Sequence, residues 1–368
     1  MRTCPSKADG SLRALPRMWG SRGHWELSAS AWVRGALLVL LMGIVSIVEV
    51  NFVGDTTIYS LNAANIREEL HESVVQNRPP ARGWAERGAN DAMNIRIAIP
   101  YLVEFLHEET GIRVLQLYKG TDLICIWLSL IIFFAYLSEQ FTAWESALAC
   151  LYFAAILPLT FAFHVYHPYD RASLVAWLLA IWCARTQRFW EFAAVAILAV
   201  LIKYDAIVLP GLYFLGNATP QTWRKHLFRS FAVGMILFAI FLALFWLLTG
   251  SYVREDYMHN ILRNLKMIIG TAIFYPPTLA FGVPAVLAIL GYKSSDQFMR
   301  ASVWFAGMIV VILIVAVNFE EVRCEQMLFP LLAPAALYGL RRILGEPSAQ
   351  NYTPTSGSRT SEQELRRQ

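Results

Sequence analysis

Long runs of apolar residues, separated by short polar segments, follow one another along most of the chain. A membrane-spanning helix needs about 20 mostly apolar residues. Segments that approach or reach this length lie at 35–53, 118–138, 143–164, 172–186, 230–249, 267–291, 301–318 and 325–341. The pattern predicts an all-α polytopic membrane protein.

The stretch from Glu191 to Leu215 is apolar apart from Lys203-Tyr204-Asp205 in its middle. It is either one helix with a buried ion pair or two short helices joined by a charged turn. A Lys and an Asp at bilayer depth are costly unless they line a cavity, which favours the two short helices. The chain then has about ten transmembrane helices.

The placement of basic residues predicts the orientation of these helices, because Lys and Arg in short loops favour the cytoplasmic side. With ten helices and both termini inside, the short inner loops and the last helix end hold clusters at Arg185/Arg188, Arg224/Lys225/Arg229 and Arg341/Arg342. Nine helices would place the last two clusters outside. The charge pattern therefore supports ten.

This topology predicts the organisation of the whole chain. Residues 1–34 form a cytoplasmic segment without an apolar core, so the first span is expected to be an uncleaved anchor. Residues 35–341 form the transmembrane domain, with a long first extracytoplasmic loop at 54–117. Residues 342–368 are rich in Ser, Thr, Gln and charge, which is typical of a disordered tail. We expect a multi-pass protein of the plasma membrane (the inner membrane of a cell that has two).

The composition agrees with this interpretation. The chain is 57% hydrophobic and only 16% charged, whereas soluble domains are about 25% charged. Part of its surface therefore needs lipid as solvent. The five cysteines are scattered without a CxxC pair, so neither a disulfide framework nor a zinc site is expected. A net charge of +4 does not by itself indicate a partner, and we expect no nucleic acid.

The unusual polar residues fall on the predicted outer face. They are Asp55, Arg96, the segment from His164 to Arg171, Lys203 with Asp205, the segment 254–256 and the segment 320–323. Such convergence is expected of a site at the membrane surface that handles a charged group.

Each of these residues also has a simpler interpretation. A lone Asp at a helix end is most often a solvated cap. The spacing of His164, His167 and Asp170 could place metal ligands on one helical face, but Pro168 interrupts that helix and an interfacial loop is the commoner explanation.

The charged pairs have simpler interpretations as well. Glu321 could pair with Arg323. Lys203 either pairs with Asp205 or binds an anion, and the residues alone favour neither.

The first span, the Asp just beyond it, the long outer loop and the many later spans together resemble the C-type fold of integral membrane glycosyltransferases. Short strings are also similar to bacterial members of that group: Arg96-Ile97-Ala98-Ile99-Pro100-Tyr101-Leu102, Tyr169-Asp170, Ala199-Val200-Leu201-Ile202-Lys203-Tyr204, and Glu321-Val322-Arg323 ahead of Met327-Leu328-Phe329-Pro330-Leu331-Leu332-Ala333-Pro334. The resemblance extends over residues 35–341.

This resemblance implies transfer of a sugar from a polyprenyl-phosphate donor to a glycan, lipid or protein acceptor on the outer leaflet. Asp55 would be the general base at the acceptor hydroxyl. Lys203 and Arg323, with Arg96 third, would meet the charge that develops on the lipid phosphate. Supporting roles would fall to Tyr169, Asp170, Asp205 and Glu321.

The sequence departs from the family at one point. Many members carry two adjacent acids in the first outer loop, whereas here Asp55 is followed by Thr56. Asp91 or the pair Glu68 and Glu69 are then the candidates for the second acid. A requirement for a divalent metal is left open.

Two other functions fit the same pattern. A transporter or flippase for a lipid-linked sugar would need charged residues along a path through the bilayer, and usually related halves. A non-catalytic subunit of a glycan assembly complex would need only binding surfaces.

Overall fold

The computed structural model describes residues 29–54, 61–76, 96–159, 169–248, 261–266, 276–316 and 326–345. The regular structure of these residues is helical, and they contain no strand. The α-helices are α1 (Ala29–Val48), α2 (Leu61–Val75), α3 (Ala98–Thr110), α4 (Val114–Ser138), α5 (Ala143–Ile156), α6 (Asp170–Arg185), α7 (Phe189–Ile202), α8 (Leu209–Asn217), α9 (Trp223–Leu248), α10 (Pro276–Gly291), α11 (Gln297–Ala316) and α12 (Leu328–Ile343). A π-helical turn, Glu49–Gly54, follows α1, and 3-10 turns precede α8 and follow α10.

The chain divides into two units, Met1–Leu41 and Met42–Gln368. In the first unit the structure describes residues 29–41, the beginning of α1. Its side chains at Leu37, Leu40 and Leu41 are exposed. The second unit contains the rest of α1, the helices α2 to α12 and a short helical stretch at 261–266.

In the part of the chain that the structure describes, three helices are long and apolar enough to cross a membrane: Val114–Ser138, Trp223–Leu248 and Gln297–Val315. Shorter apolar helices lie at Gly35–Asn51, Ala143–Ile156, Phe189–Ile202 and Ala280–Ser294. Along α9 the apolar side chains are mostly exposed, and Trp246 is 76% exposed. Lipid suits such a surface far better than water. The expectation of an all-helical membrane protein is met at this level, whereas the number of spans and their orientation stay predictions.

Local sequence sets several helix ends. Thr142 accepts a hydrogen bond from the backbone N–H of Glu145, and the Glu145 carboxylate accepts one from the N–H of Thr142, so α5 begins with a capping box. α3 ends at Gly111, whose left-handed φ of 67° lets its N–H reach the His107 carbonyl. The segment predicted as the first outer loop, 54–117, is partly helical: it contains α2, α3 and the first turn of α4.

An aromatic part of the core of the second unit lies between α4, α5 and α12. The rings of Phe133, Phe153 and Phe329 are in mutual contact, with centroids 5.3 to 5.6 Å apart. α10 and α12 cross closely at two glycines: a methyl on Gly291 would collide with the Ala335 carbonyl, and one on Gly339 with the Leu287 carbonyl. This crossing requires residues without a side chain.

The stretch from Glu191 to Leu215 is broken as predicted. α7 ends at Lys203, whose backbone is extended at φ −156° and ψ 122°, and α8 begins six residues later. The Phe192 and Tyr213 rings stack with centroids 4.9 Å apart, so α8 returns towards the first turn of α7. The Asn217 amide at the end of α8 donates to the Ala184 carbonyl at the end of α6, 2.9 Å away. The chain thus reverses direction near Lys203 and returns to the end from which α7 started.

Polar contacts join several helix termini at that end. Asp296, ahead of α11, accepts hydrogen bonds from Arg185 and from Gln140, each 3.1 Å long. Arg341 at the end of α12 holds the Glu145 carboxylate with two bonds of 2.5 and 2.7 Å. The structure thus brings together polar groups from the ends of α4, α6 and α12 and the starts of α5 and α11.

Candidate functional site

The other end of α6 carries a cluster of buried charges around Lys203. The Lys203 ammonium lies 3.1 Å from Oδ1 of Asp170 and 3.2 Å from Oδ2 of Asp205. The Lys203 and Asp170 side chains are only 7% and 4% exposed, whereas that of Asp205 is 37% exposed. Of the two alternatives left open by the sequence, Lys203 thus forms the ion pair with Asp205, and it has a second partner, Asp170, at the first residue of α6.

Arg96 lies beside this cluster, two residues ahead of α3. Its guanidinium carbon is 4.5 Å from the centroid of the Tyr169 ring and 4.9 Å from that of Tyr204. Its two terminal nitrogens donate to the hydroxyls of these tyrosines, and the bond to Tyr204 is 3.3 Å long. Its Nε is buried and has no hydrogen-bond partner among the described residues. The aromatic rings hold the cation by cation–π attraction.

Two Tyr-Asp dipeptides connect these cations. Tyr169-Asp170 begins α6, and Tyr204-Asp205 lies in the turn after α7. In each dipeptide the tyrosine accepts a hydrogen bond from Arg96 and the aspartate forms an ion pair with Lys203. We call these six residues the Arg96–Lys203 cluster. The charges of its two cations and two carboxylates cancel, which lowers the free-energy cost of burying these groups.

Burial raises the pKa of the Tyr169 hydroxyl above its ordinary value, although the nearby guanidinium of Arg96 acts in the opposite direction. Tyr169 is therefore a neutral hydroxyl at physiological pH. It can accept from Arg96 and keep its own proton for another acceptor.

Two further hydrogen bonds connect the start of α6 to Gln326, in the turn just ahead of α12. Arg171, 2% exposed, donates to Oε1 of Gln326 at 2.9 Å, and Gln326 donates in turn to the Asp170 carbonyl at 3.1 Å. Glu49, in the π-helical turn after α1, interacts electrostatically with Arg171. Asp122, on α4, is also buried.

Sequence reasoning missed several residues of this region: Glu49, Asp122, Arg171 as an interacting group, Tyr204 as a partner of Arg96, and Gln326. Asp122 did carry a signal, because a carboxylate eight residues into an apolar helix needs a partner or a cavity. Glu49 carried the same signal at the end of the first apolar run.

The predicted site residues divide into two groups. The structure brings together Arg96, Tyr169, Asp170, Lys203 and Asp205. The others, Asp55, His164, His167, Glu321 and Arg323, lie outside the described residues, as does Asp91. Glu68 and Glu69, the alternative second acids, lie on α2, and within the described residues neither forms a hydrogen bond or ion pair with this cluster. Within the described ranges no group of three or more His, Cys, Asp or Glu side chains could hold a metal ion.

The geometry suggests how an anion could enter. An arginine presents a planar fork that suits two phosphate oxygens, and Nε of Arg96 is still without a partner in the part of the chain that the structure describes. Asp205 is the more exposed of the two carboxylates at Lys203. A phosphate oxygen could therefore replace the Asp205 carboxylate at Lys203 while Asp170 stays in place.

Comparison of the chain with protein-family models, with curated proteins and with solved structures finds no match. Its function has to be inferred from its own residues.

Proposed function

We propose that this protein is an integral membrane glycosyltransferase that moves a sugar from a polyprenyl-phosphate donor to an acceptor. The supporting observation is the Arg96–Lys203 cluster, in which two Tyr-Asp dipeptides hold two cations at a helix break. In a chain with helices fit to span a membrane, such buried charges are costly and are usually functional.

The donor phosphate would bind between Arg96 and Lys203. When the sugar leaves, negative charge grows on the lipid phosphate, and cations already in position stabilise the transition state. The tyrosine rings fix the guanidinium of Arg96 before the substrate arrives, so little reorganisation is needed. The polyprenyl chain would lie along the exposed apolar surfaces of the helices.

In this proposal Asp55 is the general base that takes the proton of the acceptor hydroxyl, and Arg323 is a further phosphate-binding cation. The described neighbours of both residues support these roles. Gly54, just before Asp55, ends the turn that contains Glu49, the electrostatic partner of Arg171. Gln326, three residues after Arg323, is bonded to Arg171 and Asp170.

The proposed topology has ten transmembrane helices and both termini in the cytoplasm. It places the Arg96–Lys203 cluster towards the outer leaflet of the plasma membrane. Two observations support it. The reversal near Lys203 returns the chain to the end of α6 that holds Arg185. The basic groups Arg185 and Arg341 lie among the joined termini at that end. Cysteines introduced in place of the exposed Arg188 and the half-buried Asp205 should react with an impermeant thiol reagent from opposite sides.

The test of function is transfer by the purified protein in nanodiscs, with a set of polyprenyl-phosphate sugars as donors and release of polyprenyl phosphate as the readout. We expect Asp55→Asn to abolish release and Arg96→Ala to lower kcat/KM by about 10² to 10³, the usual effect of losing one transition-state donor. Arg113→Ala is the matched control, since Arg113 lines a different pocket and forms no hydrogen bond or ion pair with the cluster within the described residues. Wild-type levels of glycan assembly in cells that carry only the Asp55→Asn and Lys203→Ala variants would reject the site.

Transport of a lipid-linked sugar is the second candidate, and one observation favours it. Glu49, Asp122 and Arg171 are all buried in or beside apolar helices, and charged residues at such depth can mark a pathway. Proteoliposomes that contain only this protein separate the two functions. Movement of the lipid-linked sugar between leaflets without release of polyprenyl phosphate would support transport.

A further inference from the structure

A second polar cluster surrounds a buried histidine on α2. His71 is only 3% exposed, and its ring nitrogens have partners on two other helices. Nδ1 lies 2.9 Å from the Tyr118 hydroxyl on α4, and Nε2 lies 2.9 Å from Oε2 of Glu104 on α3. A carboxylate only accepts, so in the neutral ring Nε2 donates to Glu104 and Nδ1 accepts from Tyr118. Because Tyr118 is fully buried, this chain of bonds fixes the position of the Glu104 carboxylate.

A cavity of about 380 Å³ opens beside this chain of bonds, between α2, α3 and the start of α4. Cavities of this size hold small ligands. Among the described residues, the charged and titratable groups that line it are Glu68, His71, Glu72, Glu104, His107 and Arg113. With neutral imidazoles, three carboxylates and one guanidinium give this lining a net charge of −2.

Several of these groups are still available for a ligand. Only Oε2 of Glu104 is engaged by His71, and the side chain is 28% exposed. Neither Glu68 nor Arg113 forms a side-chain hydrogen bond or ion pair within the described residues. Glu104 lies six residues after the start of α3, about 9 Å along the helix, and none of the residues that line this pocket belongs to the Arg96–Lys203 cluster.

We propose that the α2–α3 pocket binds a small organic cation, a protonated amine whose ammonium group lies against Glu104. The net charge of the lining opposes an anion. The described carboxylates and imidazoles do not converge closely enough for three of them to hold a metal ion. A neutral polyol could form hydrogen bonds there but would gain nothing from the excess of carboxylates. The proposal does not depend on glycosyl transfer.

The test uses the full-length protein in nanodiscs and 1,4-diaminobutane as the probe, with 1,4-butanediol as its uncharged counterpart. Binding is measured by isothermal titration calorimetry at neutral pH and two ionic strengths. We expect the diamine to bind and the diol not to bind, with the affinity for the diamine falling as salt rises. Glu104→Gln should weaken binding about tenfold, the scale of one well-placed charge pair.

The variants separate binding from folding. Glu104→Gln keeps an oxygen that can accept from His71, and Glu68→Gln changes a side chain outside that bond, so both should fold. Glu68→Gln should weaken binding about threefold, a rim contribution of the size usual for exposed pairs. Glu109→Gln, on the same helix but outside the pocket lining, should leave the affinity unchanged. Equal binding of diol and diamine, binding insensitive to Glu104→Gln, or tighter binding of Mg²⁺ through Glu104 would overturn the proposal.

Discussion

Removal of Lys203 tests whether the buried charges depend on one another. In Lys203→Met the ammonium that lies between two carboxylates is lost, while a side chain of similar length fills its place. The Asp170 side chain is only 4% exposed, so its carboxylate would stay buried after losing the ammonium group that lies 3.1 Å away. Asp205 is 37% exposed and would regain water. The cost should therefore come mainly from Asp170.

The separations give the scale of these effects. At an effective dielectric constant near 20, charges 3.1 Å apart attract by about 5 kcal/mol. Desolvation offsets part of this, and breaking a buried pair on one side costs about 3–5 kcal/mol in measured cases. We expect about 3 kcal/mol for Lys203→Met and for Asp170→Asn. Solvent screening at Asp205 reduces the expected cost of Asp205→Asn to about 1 kcal/mol or less.

The assay is unfolding in mixed detergent micelles, followed by the loss of helical circular dichroism. The decisive comparison is the double variant Lys203→Met with Asp170→Asn. It has no unpaired charge at these two sites, so it should recover a large part of the loss, as seen when both partners of a buried pair are replaced. If the two single costs simply add, or if Asp205→Asn is as damaging as Asp170→Asn, the burial argument is wrong.

Two further predictions concern packing and helix initiation, and the same unfolding assay measures both. Gly339→Ala should destabilise by about 1–3 kcal/mol because its methyl would meet the Leu287 carbonyl, whereas Gly307→Ala, with open space around the new methyl, should be neutral or slightly stabilising. Thr142→Ala should cost about 1 kcal/mol by removing the N-cap of α5, and Thr142→Ser should restore most of it; equal stability of these two variants would contradict the capping role.

The sequence alone predicted the break at Lys203 because the cause is local. A cation and a carboxylate two residues apart inside an apolar run leave few structural solutions. The pairing with Asp205 is equally local. Asp170, the more buried partner, comes 33 residues earlier, and no rule of periodicity connects the two positions. The sequence therefore predicted the charged turn, but it did not predict that the more buried partner of Lys203 is Asp170.

The His71 pocket could not have been predicted for the same reason. Glu104 and Tyr118 follow His71 by 33 and 47 residues, and all three meet only because α2, α3 and α4 pack together. In the sequence, α2 shows neither a strong apolar face nor a motif. What the sequence did offer was Glu68 as a candidate acid, and the structure places it in this pocket rather than beside Lys203.

In the proposed function, the duplicated Tyr-Asp dipeptide would let the Arg96–Lys203 cluster be stable when empty and still bind a lipid phosphate. With two cations and two carboxylates the resting cluster is neutral, so the bilayer does not have to accept net charge. An arriving lipid phosphate would disturb that balance unless one carboxylate withdrew. The unequal exposure of the two aspartates provides for this, because Asp205 can move into water and Asp170 cannot. A site with Lys203 and Arg96 alone would bind phosphate without such an exchange, but it would have to bury two uncompensated charges whenever it was empty.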